Sequence, residues 1–264
     1  MTEVLRITFV GGPTALLEIA GKRLLTDPTF SPAGTFESAP GRPLTKTEDP
    51  ALTAPDIGTV DAVLLSHDQH ADNLDPAGRA FVGQTLLTLT TISGARRLGG
   101  TAQGLPPWAT LRLGSLEVTS VPALHGPPGA ERTTGEVTGF VLGGPNLPTV
   151  YVSGDNASLE VVQQISRRVR TVDVAVLFAG AARTSLFDGA SLTLTSEEAA
   201  GATRILGARH VVPLHTRGWK HFSEGPDRVR KAFANAGLTD RLHLLEPGET
   251  WSLGAREGRS GGAQ

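Results

Sequence analysis

Asp61-Ala62-Val63-Leu64-Leu65-Ser66-His67-Asp68-Gln69-His70-Ala71-Asp72-Asn73-Leu74-Asp75 is the stretch around which the chain is organised. Residues 62–65 are an apolar run of the length of a short buried strand. After Ser66 the chemistry changes abruptly. His67, Asp68, His70, Asp72 and Asn73 crowd into one short loop, and Pro76 then opens a helix with Asp75 as its N-cap. Imidazoles and carboxylates at the end of a rigid strand are the donor set of a metal site. The same residues also suit a polar turn that only caps a helix, so the loop alone leaves both readings open.

Three distant stretches favour the metal. Residues 118–124 lead to His125, residues 149–153 to Gly154-Asp155, and residues 210–214 to His215. Each is an apolar, strand-like run that ends in a ligand-type side chain. Four strand ends offering His or Asp to one sheet edge suit a metal-dependent site.

Working outward, the 264 residues suffice for one large α/β domain with a sizeable core. The formal charge of −2 offers no basic field, so no nucleic-acid partner is expected. There is no cysteine, which excludes disulfides, thiolate nucleophiles and Cys-based zinc sites. Any metal is therefore held by His, Asp, Glu or Asn. No apolar run is long enough for a membrane span, and the N-terminus lacks a signal-peptide core, so a cytoplasmic location is the default. A small-molecule substrate is the expected partner, and the oligomeric state is not legible.

Alternation predicts strands over 4–10, 14–19 and 22–26, an antiparallel meander. Asp27-Pro28 reads as a turn-forming Asx, with a role beside the site as the alternative. Residues 31–58, rich in proline, predict a long irregular cover near the site mouth, with Phe30 and Phe36 as its apolar contacts. A short helix over 77–82, a strand over 85–89 and a helix over 92–98 follow. Strands are expected at 111–113, 116–121, 136–142, 149–153, 173–178 and 210–214. A helix follows Asp155, and Thr195-Ser196-Glu197-Glu198 is a capping box for another. A helix from Pro226 and a strand over 241–245 complete the pattern. The domain is read as residues 1–254, with 255–264 a disordered tail.

Gly11-Gly12-Pro13-Thr14, Leu25-Thr26-Asp27-Pro28, Leu65-Ser66-His67, Asp72-Asn73-Leu74-Asp75, His125, Ser153-Gly154-Asp155 and Pro213-Leu214-His215 fall in the order of a known pattern. From Ile7 to Gly248 the chain resembles the metallo-β-lactamase superfamily. More narrowly it resembles the lactonase-like branch with ascorbate-6-phosphate lactonases and the N-acylphosphatidylethanolamine phospholipase D type. The resemblance implies an α/β fold: a four-layer αββα sandwich of two mixed β-sheets flanked by helices. It also implies one or two divalent ions, zinc or manganese first, with iron left open. His67, His70 and His125 would hold the first ion. Asp72, Asp155 and His215 would hold the second, with Asp155 bridging or completing the first.

The family loop is His-x-His-x-Asp-His, and this loop has one residue more, so Asp68 competes with His67 for the first position. Asn73 stands where the family carries a third His, and an amide is a poorer zinc donor. Metal-activated water, with Asp72 and Asp155 as catalytic carboxylates, implies a hydrolase of a small, anionic lactone or ester. A phosphodiesterase or nuclease of the same fold and a metal-poor ligand-binding relative are the alternatives. Arg183, Arg217, Trp219, Lys220 and His221 are the candidate contacts to an anionic substrate.

Overall fold

A computed structural model describes residues 3–39 and 42–254; the expected disorder of 255–264 lies outside the described residues. β1 (Glu3–Gly11), β2 (Thr14–Ile19) and β3 (Lys22–Thr26) form the expected antiparallel meander, with Ile7 opposite Leu17 and Leu17 opposite Leu24.

β4 (Gly34–Ala39) and β5 (Arg42–Lys46) then pair as a separate hairpin, Phe36 opposite Leu44. This corrects the expectation of an irregular cover. Thr35, Phe36, Leu44 and Thr45 favour a pleated strand. A two-stranded sheet is all edge, where Pro43 is tolerated.

After α1 (Ala54–Ile57), β6 (Ala62–Leu64) lies parallel to β3. α2 (Pro76–Val82), β7 (Thr88–Thr90), α3 (Ile92–Leu98) and β8 (Ala102–Gly104) extend the first sheet by parallel crossovers.

The second sheet is built from β9 (Thr110–Leu113), β10 (Leu116–Pro122), β11 (Thr138–Gly143) and β12 (Val150–Val152), with α4 (Glu131–Thr134) between β10 and β11. α5 (Leu159–Arg168), β13 (Val174–Phe178), α6 (Ser196–Leu206) and β14 (His210–Leu214) continue it with parallel pairs. α7 (Pro226–Asn235) follows, and β15 (Thr250–Gly254) returns to β1 in the first sheet. The expected strand over 241–245 does not form. Leu242 makes a single bridge to Val211, and the last sheet strand comes later, at β15.

The sheets have seven and six strands, in the orders β15-β1-β2-β3-β6-β7-β8 and β14-β13-β12-β11-β10-β9. Their facing surfaces share one core that includes Ile7, Leu17 and Leu64 from the first sheet and Phe140, Val176 and Leu214 from the second. Each such side chain contributes about 1.5–3 kcal/mol on burial. The outer face of the second sheet packs on α5, α6 and α7 through Val162, Ala199 and Phe233. The outer face of the first buries Leu25 and Val63 with Ile57 of α1 and Val82 of α2. The result is the four-layer αββα sandwich.

This topology places the site. β3 and β6 are parallel, as are β12, β13 and β14, and β10 runs in the direction of β12 because β11 is antiparallel to both. The C-terminal ends of β3, β6, β10, β12 and β14 therefore carry Asp27, His67, His125, Asp155 and His215 to one edge.

Candidate metal centre

Two compact donor clusters form at that edge. In the first, His70 Nδ1 lies 2.7 Å from His67 Nε2 and 3.2 Å from His125 Nε2. In the second, Asp72 Oδ2 lies 3.3 Å from His215 Nε2, and His215 Nδ1 lies 3.8 Å from Asp155 Oδ1. Within each trio the donor atoms all fall within 4.8 Å of one another. His67, Asp155 and His215 are fully buried.

The neighbours of the first trio orient its lone pairs. His125 Nδ1 donates to the Leu192 carbonyl at 2.7 Å, which leaves Nε2 bare. His67 Nδ1 pairs with Ser66 Oγ at 3.0 Å. Burial and the adjacent His70 hold the His67 imidazole well below its ordinary pKa. Burial and His125 lower His70 to about 4. Both rings are neutral at neutral pH and present nitrogen lone pairs to a common point, as metal-binding imidazoles do.

The second trio has the opposite character. Burial pushes Asp72 up, but His221 and His215 outweigh it and hold the carboxyl well below the carboxylate range. Burial lowers His215, but Asp155 and Asp72 outweigh it and raise its pKa. The carboxylates thus draw a proton to His215, where a cation is favoured. Asp155 Oδ2 and both His215 ring nitrogens are buried without a well-formed hydrogen bond. Buried orphans of this kind need an explanation, and a divalent ion supplies one. The donor set fits the metal on both counts.

The backbone is locally strained to build the site. His215 has φ +59, in the left-handed region that costs a non-glycine residue about 1–3 kcal/mol. Its N–H donates to the Gly12 carbonyl at 2.7 Å. A Cβ at Gly180 would lie 2.0 Å from the His215 carbonyl oxygen, so only glycine lets the β13 end approach this closely.

Asp27 has a larger role than a turn. It is buried, and its Oδ1 accepts the Ser66 N–H at 2.6 Å while Oδ2 accepts from Asn73 Nδ2 at 3.3 Å. Burial pushes its carboxyl up to about 7, and Asp155 adds to this against the hydrogen bonds from Ser66 and Asn73. Sequence reading undervalued it because the parallel pairing of β3 with β6, which brings both strand ends together, is not legible locally. Asp75 caps α2 as expected and does more. It accepts the N–H groups of Phe30 and Ser31 and the buried Lys46 ammonium, tying the hairpin to the loop.

The other expected residues separate clearly. Asp68 turns away from the trio into a bidentate pair with Arg97, at 2.6 and 3.0 Å, so the extra loop residue leaves His67 as the ring beside His70. Asn73 donates through Nδ2 to Asp155 Oδ1 at 3.2 Å, and its role here is a brace. A cavity of about 350 Å³ opens over the site, with His70, Asp72 and His125 in its lining. Arg183 and His221 also line it, and so does Arg42 of β5, which sequence reading missed. Arg217, Trp219 and Lys220 do not. Arg217 is held by Glu48 and Glu246 at 2.9 and 2.5 Å, Trp219 is buried against Phe36, and Lys220 is exposed.

The match to known proteins covers most of the chain. Residues 22–216 match the family described as a beta-lactamase superfamily domain. The chain belongs to that family. Along nearly its whole length it is similar to a UPF0173 metal-dependent hydrolase of Caldivirga maquilingensis, at 26% identity over 254 residues, covering 94% of this chain and 97% of the relative. Among solved structures, an isothiocyanate hydrolase from Delia radicum gut bacteria superposes with a TM-score of 0.80 at 21% identity, covering 93% of this chain and 98% of the other. A metallo hydrolase from the archaeon Ignicoccus hospitalis gives 0.70 at 22%, covering 95% and 98%. These likenesses show the metallo-β-lactamase fold. Family, relatives and donor set together make this member a metal-dependent hydrolase. Among the described residues no helix is long and apolar enough to cross a membrane.

Proposed function

We propose that this chain hydrolyses a small, anionic lactone or ester. His67, His70 and His125 hold one divalent ion, and Asp72, Asp155 and His215 hold a second. The observation that carries this reading is the pair of donor trios, buried except for the half-buried His70, beneath a cavity whose walls carry Arg42 and Arg183. Zinc and manganese suit the two donor sets, nitrogen-rich and oxygen-rich respectively.

When bound, the ion lowers the pKa of water toward about 7 and polarises an acyl oxygen. The chain's residues do the rest. Asp72 is ionised and lines the cavity; as a ligand it holds the second ion, and only with that second site empty is its carboxylate free for the role of a general base. Arg42 and Arg183 engage the substrate's anionic group by charge-assisted hydrogen bonds. Leu44, Leu186 and Leu192 cover its apolar part and limit water. The cavity size suits a small molecule. The structural neighbour named for isothiocyanate hydrolysis acts on a neutral electrophile; the two arginines favour an anion for this chain.

The test is a hydrolysis panel with zinc- and manganese-loaded protein. It comprises carboxylated and phosphorylated lactones and esters, their neutral analogues, and a neutral isothiocyanate. Turnover concentrated on the anionic members is expected. A preference for the neutral analogues or the isothiocyanate would overturn the substrate assignment, and no turnover of any member after metal loading would overturn the acyl-hydrolase reading.

A further inference from the structure

The segment after β14 brings one more imidazole to the second trio. His221 Nε2 lies 2.9 Å from Asp72 Oδ2, closer than His215 Nε2 at 3.3 Å. This contact joins the segment after β14 to the loop after β6. The segment is clamped on both sides. Trp219 bridges to Lys46 of β5, and Phe222 bridges to Ala182 of the loop after β13. The His221 carbonyl also accepts the Arg183 N–H at 2.9 Å. The ring itself lies between Trp219 and Phe222, with ring centroids 6.3 and 4.7 Å away. His221 is thus presented to Asp72 by rigid backbone.

In the loop after β6, Asn73 uses its amide to brace Asp27 and Asp155 and gives the second trio no donor. Asp72 is then the trio's member from the loop, and its orientation decides where that carboxylate points. A carboxylate ligand needs an outside hydrogen bond to fix it, and such partners alter metal affinity by about 10–100-fold. We infer that His221 is the positioning residue for Asp72: its Nε2–H holds Oδ2, and occupancy of the second metal position depends on that bond. The inference rests on the metal-binding reading above.

The experiment titrates Zn²⁺ into chelator-treated full-length protein by calorimetry without substrate, so that any contact of His221 with substrate is silent. Wild type is compared with His221→Phe, which keeps an aromatic ring between Trp219 and Phe222 but has no donor, and with His221→Gln, which restores a donor. His221→Leu replaces the Phe variant should that one fail to fold. The expected result is two binding events in wild type, the weaker one reduced about 10–100-fold in the Phe variant and recovered in the Gln variant, with the tighter one unchanged. Unchanged binding in the Phe variant, or a Gln variant as weak as Phe, overturns the positioning role alone. Wild type that binds no Zn²⁺ overturns the metal reading itself.

Discussion

The side-chain amide of Asn73 donates to Asp155 Oδ1 at 3.2 Å, linking the loop after β6 to the strand end after β12 across 82 positions. The same Nδ2 approaches Asp27 Oδ2 at 3.3 Å and Ser66 Oγ at 3.4 Å. Two hydrogens serve three acceptors, which accounts for the long distances. The amide therefore holds two buried carboxylates apart from each other and in place.

Asn73→Ala removes that donor and leaves both carboxylates short of a partner. A destabilisation of about 1–3 kcal/mol is expected, read as a lower urea midpoint at unchanged slope. An unchanged midpoint would show that Ser66 and the backbone suffice to hold Asp27.

The two trios separate by mutation. His125→Ala is expected to lose the ion of the histidine trio and His215→Ala the ion of the Asp72–Asp155 trio, each lowering metal content by about one per chain while the folded far-ultraviolet spectrum persists. Elemental analysis after identical dialysis is the measurement. Full metal content in both variants would exclude these trios as the sites.

The arginines divide by position. Arg183→Ala and Arg42→Ala each remove a charge from the cavity wall and are expected to raise KM for an anionic substrate about 10- to 100-fold, against little change for a neutral analogue. Arg217→Ala breaks a partly exposed pair with Glu48 and Glu246, for which at most about 1 kcal/mol of stability and no KM effect is expected. Equal KM effects from Arg217 and Arg183 would reverse this division.

Away from the site, His210 Nδ1 and His243 Nε2 meet at 3.0 Å beside Trp251, whose ring lies 5.2 and 4.6 Å from theirs. Burial lowers the pKa of His210 against the pull of Asp173, and burial together with His210 lowers that of His243. The folded pair stays neutral where unfolded histidine, near 6.5, takes up a proton. Stability is therefore full above about pH 6.5 and falls as pH drops from there to the lower folded values. Thermal unfolding at about pH 7.5 and about pH 5.5 is expected to show this loss in wild type and a smaller one in His243→Phe. An identical pH slope in both would remove the pair as its source.

Much of the chain was legible locally. β2, β3, α3 and β14 have the bounds that alternation, helical spacing and terminal glycines predict, because those signals act between near neighbours. The types and order of the ligand candidates were legible too, since His and Asp after apolar runs need no partner to be recognised. Tertiary structure alone decided the rest. Which residue of the lengthened loop faces the trio depends on Arg97 drawing Asp68 away. The weight of Asp27 depends on β3 lying parallel to β6, and the closing strand depends on β15 finding β1. Whether a cation belongs to the substrate depends on whether acids such as Glu48 and Glu246 reach it first. Each of these is a contact between residues far apart in sequence. Its free energy comes from burial and hydrogen bonds formed only when the sheets pack, so no local pattern encodes it.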